Sequence, residues 1–287
     1  MRLDFWEPAR KANMINRFLS SLFALLLPAS ALAQEPGSQA SREKPRASLA
    51  GPLLKTSFGD LPILPPESPW NQEVASLPVH ADSAKFIASI GADKGLHPDF
   101  GTTYNNAPNG IPFVVVPGTQ KKVPGAFEYA DESDPGPYPI PADAPIEGGP
   151  KAEGYRHILV LDFHNKKLYE LFSARKEPQG DGWRAGSGAL WDLASGKPRP
   201  AGWTSADAAG LPIFPGLARY DEAVEQGEIR HAFRFTAQKT QRGYIAPATH
   251  FASKSTDPHL PPMGLRVRLK ASFDDSKFPK SVQDITR

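Results

Sequence analysis

The chain reads as a mainly β protein: a β-sandwich, or an α+β domain with a dominant antiparallel sheet, carrying a few short peripheral helices. Three observations predict this. Residues 158–161 are a short apolar run, and apolar residues recur with a period of two at 167–173, 229–236 and 265–271, the signals of strands. The chain holds 31 Pro and 24 Gly in 287 residues, a frequency of breakers that long helices do not tolerate. Only two segments, 82–91 and 217–226, carry a helical pattern with an end signal. No internal repeat supports a propeller, and no Gly-rich phosphate loop supports a nucleotide-binding fold.

The N-terminus precedes the fold. From Met14 the sequence has a short basic region at Arg17, an apolar run from Phe18 to Leu27, and the small-x-small pattern Ala31-Leu32-Ala33. That is the form of a secretory signal peptide over 14–33, and the apolar run is too short for a membrane span. Residues 1–13 then read as an over-long gene start. Residues 34–50 are polar and poor in bulky apolar groups, as in a disordered linker. A single β-rich domain is expected over 51–287. No Cys is present, which excludes disulfides, thiolate catalysis and Cys-bound metals.

Charge limits the partners. Residues 1–33 contain four basic and two acidic groups, so of 33 basic and 31 acidic residues, 29 of each remain after cleavage. A near-neutral chain has no cationic surface for nucleic acid. An exported monomer without stable membrane insertion is expected.

Within the domain, residues 60–70 (DLPILPPESPW) hold four prolines and read as an irregular arm laying Ile63, Leu64 and Trp70 on a core. Asp82 or Ser83 caps a helix ending at Gly91, with Phe86, Ile87 and Ile90 on one face. Residues 110–117 predict a short strand bounded by prolines, and 121–128 another. Arg156–Asp162 and Lys167–Ser173 predict an antiparallel hairpin turning at 164–166. In it Leu168, Glu170 and Phe172 share a face, so Glu170 interrupts an apolar surface. A buried unpaired carboxylate is costly, so Glu170 is expected to meet a groove or a base such as Arg156. Trp183–Asp192 predicts a further strand, Thr204–Gly210 a capped helical turn, 217–226 an amphipathic helix, and 228–236, 240–246 and 265–271 strands.

The chemistry-bearing residues concentrate in loops, where sites usually form. Tyr129–Pro141 sets Asp131, Glu132 and Asp134 on a Pro-stiffened frame flanked by Tyr129 and Tyr138. A calcium ion near these three acids is one reading, although the spacing is not that of an EF-hand. Trp191-Asp192 and Trp203–Asp207 lie in a Gly/Pro-rich stretch. His97 and Asp99 form a further metal-type pair.

Glycoside chemistry needs two carboxylates with unequal proton affinities across a groove. Glu170, Asp192, Asp207 and Asp131 are the catalytic candidates, with Glu132, Asp134 and Glu147 also in the acidic set. Trp191, Trp203, Tyr129, Tyr138, Arg156 and His157 are the substrate-binding candidates. The 129–141 loop, Glu170 and the 191–207 loops are expected to converge on one concavity. A lyase would use Tyr169, His157 or His231 as base beside Arg156, Arg219 or Arg234. A non-catalytic carbohydrate-binding or envelope protein would use the same aromatics and acids without turnover.

Tyr129–Pro141, His157–Phe172, Ser187–Asp192, Pro200–Arg219 and Met263–Ala271 together resemble a functionally uncharacterised family of secreted bacterial proteins. Such domains sometimes stand beside carbohydrate-binding modules. The resemblance covers most of residues 60–275 and implies a glycan-associated role, with a polysaccharide or cell-envelope glycan as partner. It carries no catalytic residues across. Members of that family continue past the position of Arg287, which implies a C-terminally short domain.

Overall fold

Ile158 to Leu161 is an unbroken apolar run because both faces of its strand are covered. The computed structural model describes residues 51–95, 103–104 and 107–286. The leader, the linker over 34–50 and the His97/Asp99 pair lie outside them. In chain order the elements are β1 (Leu53–Thr56), β2 (Gly59–Pro62), α1 (Ser83–Ile90), β3 (Thr103–Tyr104), β4 (Ala107–Pro108), β5 (Phe113–Val116) and β6 (Gly125–Phe127). Then follow β7 (Ile158–Asp162), β8 (Lys167–Phe172), β9 (Arg175–Lys176), β10 (Trp183–Ala185), β11 (Ser187–Asp192) and α2 (Lys280–Thr286). Single 3₁₀ turns occur at Ala130–Glu132 and Phe214–Gly216, and a π turn at Asp221–Gln226.

This is a mixed α+β fold of modest sheets with short helices. The central sheet has the order β11-β8-β7-β5. β11, β8 and β7 run antiparallel, with Leu159 opposite Glu170 and Ala189 opposite Glu170 on its other side. β5 joins β7 in parallel, and β6 joins β10 in parallel beside the antiparallel β9. An antiparallel core therefore carries parallel edges.

The two faces of the central sheet have separate cores. On one, Leu159, Leu161, Leu168, Ala189 and Trp191 pack under Leu54, Leu61, Ile63, Leu64, Trp70, Ile213 and Phe214. On the other, Ile158, Val160, Tyr169 and Leu171 pack against Val123, Tyr138, Ile140, Trp183 and Ala185. Each fully buried Leu or Ile contributes roughly 1.5–3 kcal/mol relative to exposure. The predicted arm does lay Ile63, Leu64 and Trp70 on the core, but its start is regular: β2 pairs with β1, and Pro62 sits opposite Leu53.

Several expectations are corrected. The strand over 183–192 is two strands, interrupted at Gly186. The 204–210 segment is not helical: Ser205 Oγ accepts from the Asp207 amide at 2.9 Å and closes a local turn instead. The helix over 217–226 shrinks to the π turn, ended by Gly227 in the left-handed region at φ 71°. Residues 228–236, 240–246 and 265–271 form no strands, apart from an isolated parallel bridge between Tyr244 and Met263. The reason is backbone pairing. The Ala232 amide donates to Trp70 O and the Arg234 amide to Gly216 O, two different neighbours rather than one ladder. Phe233, Phe235, Val267 and Leu269 consequently keep 43–50% of their surface exposed. Among the described residues no helix is long and apolar enough to cross a membrane.

Candidate functional site

Glu170 points from β8 into the core that the 199–214 segment covers, and it is fully buried. Alternation along β8 dictates this, since Leu168 faces the same core. Neither expected solution applies: Glu170 meets no groove and does not pair with Arg156. Its Oε1 accepts from the amides of Ile213 at 2.9 Å and Phe214 at 2.8 Å, and Oε2 accepts from Trp191 Nε1 at 3.2 Å. Burial pushes its carboxyl up to about 7. The Phe214 and Ile213 amides, the charge of His157 and the indole N–H all pull in the opposite direction.

Arg156 is spent elsewhere. Its Nε donates to Ala174 O, and its Nη1 to Pro150 O and Ala152 O. It sits at φ 50°, a left-handed conformation that residues other than glycine rarely adopt, and is held there by those three bonds.

The 129–141 and 191–207 loops do converge, around the buried Arg199 guanidinium and a shallow depression beside it, but Glu170 does not line that depression. Arg199 pairs with Asp134 at 2.5 Å and donates to Thr204 O and Glu132 O. Its guanidinium lies 5.7 Å from the Trp191 ring and 5.4 Å from the Trp203 ring, so both tryptophans hold a cation. Glu132 Oε2 accepts from the Thr204 amide. Tyr138 is buried and donates to Asp134 O, and burial drives its phenol well above the ordinary value. Tyr129 is half-buried, and burial, then Glu128 and Glu132, raise its phenol.

Asp131 lies in the 3₁₀ turn on the same loop. Asp192 pairs with Lys167 at 2.7 Å and accepts from the Ala194 and Ser195 amides. These contacts, the lysine first, hold it below the usual carboxylate range. Asp134, Asp192 and Arg199 border a shallow depression of about 310 Å³ together with Lys197 and Pro198. Among the described residues no three His, Asp or Glu side chains group as a metal shell. Of the acids proposed for calcium, Asp134 and Glu132 instead bond to Arg199 and the Thr204 amide.

A second group remains partly accessible. Glu147, Asp207 and Arg234 keep 24%, 16% and 24% of their side-chain surface. Asp207 pairs with Arg234 and accepts from the Ala209 amide. Burial works against the Arg234 charge, but Asp207, with Glu170 and Glu147, overrides it and raises its affinity for the proton.

His157 joins this group to the sheet. Nδ1 faces Glu147 Oε2 at 2.7 Å and Nε2 faces Ala206 O at 3.1 Å. Both partners are acceptors, one a carboxylate and one a main-chain carbonyl. Burial alone would raise the Glu147 carboxyl, but the His157 hydrogen bond and charge, with Arg234 behind them, bring it below the ordinary value.

Sequence reasoning placed Asp207 and His157 in a site and named Arg234 as a possible lyase cation. It left Glu147 in the wider acidic set and missed that Arg234 pairs with Asp207 and that His157 bonds Glu147. Glu147-Gly148-Gly149 was the available signal: an acid before a glycine pair, with Gly148 and Gly149 both at positive φ. No protein-family model, curated protein or solved structure matches this chain.

Proposed function

We propose that the protein is an exported glycan-active enzyme in which Glu147 and Asp207 are the paired carboxylates and Arg234 the cation paired with Asp207. One observation carries the reading: two partly accessible carboxylates from distant parts of the chain lie in one group, Asp207 paired with Arg234 and Glu147 bonded to His157, whose other ring nitrogen faces the carbonyl of Ala206 beside Asp207. The leader at 14–33 and the resemblance to secreted proteins beside carbohydrate-binding modules support the compartment and the glycan. Glu147, held ionised, takes the base role, and Asp207 is the second carboxylate that a hydrolase requires. Glu170 lies behind them and touches no substrate.

The test is incubation of the protein with neutral and acidic polysaccharides, following new reducing ends and unsaturated products. Glu147→Gln and Asp207→Asn each lower turnover by about 100-fold or more with the fold retained. Full turnover in both variants overturns the assignment. Retention on a polysaccharide without turnover in the unmodified protein identifies a binding module instead.

A further inference from the structure

Tyr155 is 67% exposed, one of the largest aromatic exposures in the described chain, yet its carbonyl is bonded to the end of β8. It belongs to the loop 147–157. The base of that loop is closed by the Glu147 amide donating to His157 O at 3.0 Å and the His157 amide donating to Glu147 Oε2 at 3.3 Å. The interior is tied by Arg156 Nη1 to Pro150 O and Ala152 O. The Ser173 amide donates to Tyr155 O at 2.7 Å and fixes the residue to the end of β8. Compact surface loops with joined ends are frequently functional.

The positive φ at Arg156 turns the chain between Tyr155, directed outward, and His157, directed into the carboxylate group. The Tyr155 ring stands 5.9 Å from the His157 ring and 6.0 Å from the Phe172 ring, and His157 and Phe172 are 5.9 Å apart. Three rings thus form a triangle with Tyr155 as its solvent-facing member. The triangle adjoins Glu147 through the 2.7 Å bond to His157.

We propose that Tyr155 is a stacking platform for a sugar ring of the glycan, a binding residue one ring away from Glu147. This rests on the glycan-active reading above. A tyrosine already backed by two rings and a tied loop offers its face at little cost in conformational entropy. The apolar C–H face of a pyranose is the chemistry that such a surface accepts in water, while the polar edges remain for Glu147, Asp207 and Arg234. The Tyr155 hydroxyl has no hydrogen-bond partner among the described residues, so the ring face rather than the hydroxyl is the feature under test.

The experiment is native electrophoresis in gels containing a soluble β-glucan, a xylan or a polygalacturonate, with Tyr155→Ala, Tyr155→Phe and Tyr155→Trp beside the unmodified protein. Because the side chain is largely exposed, unfolding midpoints of all four should agree. The expected result is retardation of the unmodified protein by one of the three polymers. Tyr155→Ala weakens this by roughly three- to ten-fold, while Phe and Trp preserve it. With a polymer that is turned over, KM rises in Tyr155→Ala and kcat holds. Equal retardation of Tyr155→Ala overturns the platform alone, as does a Phe variant as weak as Ala. Absence of both retardation and turnover with all three polymers overturns the platform together with the glycan reading.

Discussion

Trp191 Nε1 donates to Glu170 Oε2 at 3.2 Å while the Trp191 ring faces the Arg199 guanidinium. One indole therefore links the carboxylate at the centre of the sheet to the cation that gathers the 129–134 and 199–204 loops. The segment from Arg199 to Phe214 is fastened to the sheet by side chains from four places. Asp134 holds Arg199, Ser187 Oγ donates to Ser205 O at 2.6 Å, His157 holds Ala206 O, and Glu170 holds the Ile213 and Phe214 amides. Asp207 lies within that fastened stretch.

Glu170→Met keeps the side-chain volume and removes the acceptor. The buried Ile213 amide, Phe214 amide and Trp191 indole N–H are then left without their partner. Each stranded donor costs about 1–3 kcal/mol, so a loss of roughly 3 kcal/mol or more is expected in urea unfolding. A loss under about 1 kcal/mol would show that the carboxylate is not what holds the segment.

Glu170 also gives stability a pH dependence of definite sign. Its folded-state value of about 7 exceeds the ordinary glutamate value of about 4.3. The folded form therefore binds the proton more tightly than the unfolded form. The stability it contributes is complete below about pH 4 and is lost as pH rises towards and through 7, by about 4 kcal/mol in all. Glu170→Gln has no such titration. The stability of the unmodified protein minus that of Glu170→Gln should fall between pH 4.5 and 8, and a constant difference across that range contradicts the prediction.

The hairpin over β7 and β8 was legible in the sequence because both strands lie between two cores, so apolar pattern and pairing agree. The pattern at 265–271 is as regular, yet Val267 and Leu269 stay exposed. Alternation reports which face could be buried and does not supply a neighbour for the backbone. At the candidate site, Asp207 was singled out from its setting in a turn, and His157 as a polar residue at the head of a predicted strand. Glu170 was legible as an anomaly, but its partners were not: they are main-chain amides at 213 and 214, which no side-chain pattern announces. The same limit hid Arg199, whose partners Asp134, Thr204 O and Glu132 O come from two loops far apart in sequence.

Arg199→Met tests the cation held by the two tryptophans. The Arg199 side chain is only 3% exposed, and its loss removes the ion pair to Asp134 and two bonds to carbonyls. Removing one partner of such a buried pair costs roughly 3–5 kcal/mol. Arg199→Lys should recover little, since an ammonium cannot reproduce the planar fork that reaches Asp134, Thr204 O and Glu132 O together. Both variants should alter tryptophan fluorescence before unfolding. A Lys variant as stable as the unmodified protein would mean that charge alone matters at this position.

Gly210 and Gly202 allow backbone strain to be separated from collision. Both have positive φ, 69° and 84°, so alanine is disfavoured at each by about 1 kcal/mol. At Gly202 nothing lies near an added Cβ. At Gly210 the Cβ would fall inside contact distance of Thr249 Oγ1 and Trp203 O. Those atoms cannot give way freely: Thr249 Oγ1 donates to Trp203 O at 3.0 Å, and the Thr249 and His250 amides both donate to Ala209 O. Gly202→Ala should therefore cost about 1 kcal/mol, and Gly210→Ala at least about 2 kcal/mol more, as overpacking adds to the strain. The Gly210 variant should also disturb the Asp207–Arg234 pair, which lies three residues before it, and so lower any turnover on polysaccharide. The Gly202 variant should leave turnover unchanged. Equal destabilisation by the two substitutions in urea would show that the turn at 207–210 yields, and that the bonds of Thr249 to Trp203 O and Ala209 O do not hold that turn rigid.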